Sequence, residues 1–182
     1  MTEKITSVPL PPTSLMHKYA QKIDYLDCFR LKVYTPKEMT VDQVTARFFS
    51  SSLGWDEALL KLRNLLVKTF GLKGGEFIPQ KPPASPHYVP GDKALMFTVI
   101  ARDDEEIVTS ESDKHLVFWT SVRWEKLPGE TPCTGYFYSS TLVHYHNFGG
   151  RLYFWVVKPF HKLIIKSLMK KMANELQKEL RK

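Results

Sequence analysis

The feature that most constrains this chain is a run of consecutive strand patterns followed by one long helical pattern. In the strand region, 94–146, Leu95, Phe97 and Val99 alternate, Asp103-Asp104 makes a turn, and residues 107–110 form a second strand. Segment 115–124 places Leu116, Phe118, Thr120, Val122 and Trp124 on one face. Leu127-Pro128-Gly129-Glu130 turns the chain back, and 135–146 is nearly all aromatic and β-branched. Short connections make these strands an antiparallel meander. Asn147 to Gly150 then ends the sheet. In the helix that follows, placed at 150–181, Phe160, Ile164, Leu168, Met172 and Leu176 recur every fourth residue. Leu163 and Leu180 widen the stripe and lysines fill the other side. Pro159 falls inside this pattern, which predicts a kink or break near Lys158.

Earlier in the chain, Phe29, Leu31 and Val33 alternate with Arg30 and Lys32, so 25–34 is a strand with one wet face. Thr40-Val41-Asp42-Gln43 has the form of a capping box opening a short helix with Val44 and Phe48 inward. A second helix is expected over 55–70, with Trp55, Leu59, Leu62, Leu66 and Phe70 on one face and Gly71 at its end. Five prolines make 79–92 a loop, and 1–22 reads as a leader into a single domain spanning 1–182.

A meander has one apolar face and an amphipathic helix one apolar stripe, and each needs the other to leave water. The predicted fold is therefore α+β: a curved antiparallel sheet gripping a long C-terminal helix, with two shorter helices after the first strand. A straight helix cannot touch a curved sheet along its whole length, and the mismatch leaves an apolar pocket between them.

Composition narrows the partners. Hydrophobic residues make up 43% and aromatics 13%, suiting a globular core. Two cysteines without recurring Cys/His spacing argue against a disulfide framework or zinc finger. The most membrane-like run, 152–157, is far short of the ~20 residues that span a bilayer, so a cytoplasmic protein is expected. The +7 formal charge lies largely in the last quarter of the chain. With no basic-aromatic stripe on an open sheet and no helix-turn-helix signal, nucleic acid is not an expected partner. The lysine-rich side of the last helix suits a solvated face, or weak attraction to anionic lipid.

The element order resembles the helix-grip superfamily, which includes START lipid-transfer domains, birch-pollen-allergen-like proteins and polyketide cyclases. A closer resemblance rests on three segments. Ile23-Asp24-Tyr25-Leu26-Asp27-Cys28-Phe29 and Asp113-Lys114-His115-Leu116-Val117-Phe118 are similar to segments of a bacterial family called domain of unknown function 2867. So is the run from His144 through Asn147, Gly150, Arg151 and Tyr153 to Pro159-Phe160-His161. Val117 stands where that family often has an acidic residue, so no carboxylate role is expected there. The resemblance carries no established activity. It implies a pocket for lipids, sterols, polyketides or related aromatics.

Polar candidates cluster in the same segments. His144 and His146, with His115 and His161, make a conceivable metal group, but no acidic residue is in register with them, and no metal or cofactor is expected. His115 or His144, partnered by Asp113 or Tyr153, offers acid/base chemistry on a carbonyl, or else a hydrogen-bonded tie between sheet and helix. Gly149-Gly150-Arg151 either permits the turn into the helix or holds an anionic head group. Phe118, Thr120, Val122, Phe160, Ile164 and Leu168, with His144 and Arg151, are the expected ligand contacts. The guest is a small hydrophobic or amphipathic molecule. A cofactor-independent cyclase or isomerase, or a module with no ligand, are the alternatives.

Overall fold

In the computed structural model, which describes residues 3–51, 86–94, 97–129 and 132–181, the described strands form one antiparallel sheet. In chain order they are β1 (Thr6–Ser7), β2 (Tyr25–Thr35), β3 (Lys93–Ala94), β4 (Phe97–Arg102), β5 (Glu106–Ser112), β6 (Leu116–Leu127) and β7 (Cys133–Tyr145). Their order across the sheet is β1-β2-β7-β6-β5-β4-β3, so the meander from β3 to β7 is closed at one side by the first long strand. Helix α1 (Val41–Ser50) leads out of β2, and α2 (Phe148–Glu179) follows β7. This is the helix-grip arrangement anticipated from the strand run and the terminal helix. The second short helix expected at 55–70, and most of the proline-rich loop, lie outside the described residues.

Local chemistry explains the element ends. Thr40 and Gln43 form the anticipated reciprocal capping box of α1. Asn147 caps α2, accepting from the Gly150 N–H at 3.1 Å. Gly150 has a second role: a Cβ there would sit 2.1 Å from the His115 carbonyl oxygen, so only glycine lets the helix start against the β5–β6 turn.

Of the predicted kink or break near Lys158, a break does not occur: α2 continues through Pro159 to Glu179. Proline removes the donor to the Trp155 carbonyl, but Pro159 and Trp155 are both exposed, so water can serve that carbonyl.

The core sits where the C-terminal half of α2 meets the sheet. Leu168, Met169, Met172 and Leu176 pack with Phe29, Leu31, Phe48, Trp124 and Phe137, all nearly inaccessible to water. Each such side chain contributes about 1.5–3 kcal/mol of burial. Arg47 on α1 clamps Glu179 through two hydrogen bonds, fixing the two helices at this end.

The other face of the sheet is not fully wet. Residues 6–20 cross it: Met16, in a 3-10 turn (Leu15–Tyr19), is buried against Val108 and Leu142. Glu106, fully buried, accepts from the Ser14 hydroxyl at 2.8 Å and the Leu15 N–H at 2.7 Å. These polar bonds compensate a buried carboxylate that would otherwise oppose folding.

Candidate ligand site

Strand pairing sorts the inward side chains into rows across the sheet. Leu31, Phe137 and Trp124 make the row nearest the closed end, followed by Phe29, Ser139, Val122 and Ile107. The next row is polar: Asp27, Thr141, Thr120 and Thr109 are aligned across four strands. Beyond it lie Tyr25, Val143 and Phe118. A polar row inside an apolar concave face is expensive unless it is hydrogen-bonded.

At one end of that row stands a group of three. The Tyr25 hydroxyl donates to Asp27 Oδ2, and His161 of α2 brings Nε2 to 3.4 Å from the same oxygen. Asp27 is 6% exposed. Its Oδ1, together with His161 Nε2 and the Ser139 hydroxyl, is buried without a hydrogen-bond partner among the described residues. The Tyr25 ring packs on Phe154 at 4.8 Å and meets His161 edge-on. Lys158 Nζ stands 4.9 Å from the centre of the same ring. Burial, then the hydrogen bond to Asp27 and its charge, raise the Tyr25 pKa far above the usual phenol value, so Tyr25 is a neutral donor. The trio thus presents an acceptor oxygen, an imidazole and a fixed phenol to the interior. An unmade bond at such a buried group costs about 1–3 kcal/mol.

Helix α2 lies mainly over β2 and β7, so the inner face of β4–β6 is less covered by it. There Phe97 and Phe118 meet edge to face at 5.3 Å and remain half-buried beside Thr120. Of the pocket residues expected from sequence, Phe118, Thr120 and Val122 line the inner face, and Ile164 and Leu168 pack on the same core. Val122, in the row next to the polar one, and Leu168 are buried in the main apolar core. Phe160 is 42% exposed, at the margin of the helix.

The other polar candidates fall outside this interior. Strand alternation turns His144 away from its inward neighbours Val143 and Tyr145, and its Nδ1 lies 3.0 Å from Asp24 Oδ2. Asp24 also accepts from the Tyr145 N–H at 2.8 Å. Arg151 is exposed and lines a surface cleft of about 240 Å³ with Asp24, Tyr145, Asn147 and Phe148. Asp113 accepts from the N–H groups of His115 and Leu116, closing the β5–β6 turn. The His115 ring meets Asn147 Oδ1 at 3.1 Å, and the His146 ring meets the Asp113 carbonyl at 3.0 Å. Asp113, His115, His146 and Asn147 therefore bind the turn to the helix start, while His144 pairs with Asp24. Tyr153, the remaining acid/base candidate, is half-buried against Phe154 and its neighbours. No group of three or more His, Cys, Asp or Glu side chains is placed to hold a metal among the described residues.

Sequence reasoning passed over Asp27 as a site residue, although the signal was present. Asp27 shares parity with Phe29, Leu31 and Val33, so the alternation that defines the strand already turns its carboxylate inward.

Among the described residues no helix is long and apolar enough to cross a membrane. No curated protein matches the chain. Among solved structures it is similar to the crystal structure of Ara h 8.0201, at 12% identity and a TM-score of 0.33, over 82% of this chain and 99% of that one. The family described as "Protein of unknown function (DUF2867)" matches residues 19–168, the span holding Tyr25, Asp27 and His161, and the chain belongs to that family.

Proposed function

We propose that the protein binds a small amphipathic molecule between the concave face of its sheet and α2. The observation that carries this is the group of buried Tyr25 and Asp27 with half-buried His161, whose Asp27 Oδ1 and His161 Nε2 are buried atoms without hydrogen-bond partners among the described residues. A ligand hydroxyl or amide would supply the missing bonds, while Phe97, Phe118 and Ile164 receive its apolar part. The polar row from Asp27 to Thr109 offers a track along which an elongated guest can make further bonds.

Native mass spectrometry of the chain purified from its own host tests this. A retained small molecule is expected with the unaltered protein and not with Asp27→Asn or His161→Leu, each of which should still fold. Retention unaffected by both substitutions would refute the assignment.

The same three side chains favour one second reading. A carboxylate, an imidazole and a phenol within reach of one another can move a proton on a bound carbonyl compound, as a cofactor-independent cyclase or isomerase does. Ligand recovered chemically unchanged after prolonged incubation argues for binding; a new isomer that does not form with His161→Leu argues for catalysis.

A further inference from the structure

Helix α2 is apolar on two opposite sides, and only one is covered among the described residues. Phe154, His161, Ile165, Leu168, Met172 and Leu176 follow one another at helical spacing and face the sheet. Phe148, Leu152, Trp155, Pro159 and Leu163, spaced four, three, four and four apart, form a second line facing away. Their exposure is large: 77% for Phe148, 42% for Leu152, 73% for Trp155 and 59% for Leu163. A solvent face has no need of such residues, and isolated exposed apolar side chains do not normally fall in register over four turns.

The charges that α2 itself sets beside this line are of one sign over its first 27 residues, while Asp24 of the sheet stands at the start of the line in the cleft with Phe148 and Arg151. Arg151, Lys158, Lys162, Lys166 and Lys170 flank it, and no Asp or Glu occurs in α2 before Glu175. Lys158, Lys162 and Lys166 arch toward the aromatic rings of Tyr25 and Phe29 on β2, so the cations border the line on the sheet side. An aromatic and aliphatic strip whose helix flanks it with cations is the pattern of a helix lying in the headgroup region of an anionic bilayer, with Trp at the boundary and Lys at the phosphates.

We infer that the N-terminal half of α2 docks the protein onto anionic lipid surfaces, through Phe148, Leu152, Trp155 and Leu163 with the flanking cations. The helix does not insert across the bilayer, because its opposite side stays on the sheet. The apolar line is separate from the internal site, since it uses the outward face of α2, whereas Lys158 and Lys162 also stand over the Tyr25 ring.

Co-sedimentation with vesicles of phosphatidylcholine, alone or mixed with phosphatidylglycerol, tests it. The full-length protein should sediment with the mixed vesicles, weaken as salt is raised, and stay in solution with phosphatidylcholine alone. The Leu152→Ser/Trp155→Ser/Leu163→Ser variant changes only exposed side chains and should keep the thermal unfolding of the parent while losing binding by about tenfold or more. Lys158→Glu/Lys162→Glu/Lys166→Glu should lose it comparably. Failure of the unaltered protein to sediment with anionic vesicles overturns the inference, as does undiminished binding by the serine variant. A protein that binds no vesicles and is a dimer, but a monomer as the serine variant, would overturn it in favour of a contact between copies.

Discussion

The two halves of α2 are in contact with the same sheet yet solve opposite problems. The C-terminal half, from Leu168 to Leu176, meets Leu31, Phe48, Trp124 and Phe137 in an apolar contact, with Glu175 accepting from Ser51 at its edge. The N-terminal half meets a carboxylate and a phenol on β2, and carries its largest apolar side chains on the outside. The first is what stability alone selects. The second sets buried polar groups and exposed rings against stability, and such local departures concentrate where a protein does its work.

The contrast can be broken most directly at its apolar end. Phe137→Ala, at a fully buried ring, is expected to cost about 3–5 kcal/mol in denaturant unfolding, whereas Asp27→Asn should change stability by less than about 1 kcal/mol. Asparagine keeps an acceptor for the Tyr25 hydroxyl and removes a buried charge. Comparable losses from the two would mean that the polar end is ordinary core.

A smaller effect is expected at the junction of sheet and helix. Gly150→Ala drives a methyl group against the His115 carbonyl and should cost about 1–3 kcal/mol by thermal unfolding. An unchanged midpoint would show that the helix start is not pinned to the turn.

The smallest effect compares the two faces of the sheet at alkaline pH. Tyr25 on the inner face and Tyr138 on the outer one both have raised pKa values, that of Tyr138 to about 12 through burial and its hydrogen bond to Glu125. In each case folding favours the neutral phenol, so the stability it contributes is full below the unfolded value of 10.0. That stability declines as the pH rises from there, for Tyr138 toward about 12. Unfolding free energy should therefore fall over this range, less steeply in Tyr138→Phe. An identical slope in the variant would mean that Tyr138 does not contribute.

The frame of the fold was readable because it rests on short-range periodicities. Alternation located β2 and the strands of the meander, the Thr40–Gln43 box located α1, and fourfold spacing located α2. The site was harder because conserved-looking chemistry drew attention away from parity. His144 is polar and lies in a specific motif, but Val143 and Tyr145 already assign it to the outer face. Asp27 is the converse, a charged residue whose position in an apolar alternation places it inside. The second apolar line on α2 was equally present in the spacing of Phe148, Leu152, Trp155 and Leu163, and was obscured by assuming that a helix has one apolar side. The covering of the outer face by Met16 and Ser14 had no periodic signal, since it depends on a single turn meeting Glu106 over 90 residues away in sequence.

The proline within α2 falls between its two unlike halves. Pro159 deletes one rung of the backbone ladder between the segment that carries Phe154 and the segment anchored by Leu168 to Leu176. A rod with one rung already absent flexes there first, and flexing at that point sacrifices no further backbone bond. Bending at this point, with the front of the helix held at Gly150 and its rear at Leu168 to Leu176, is the movement that entry of the proposed guest would require.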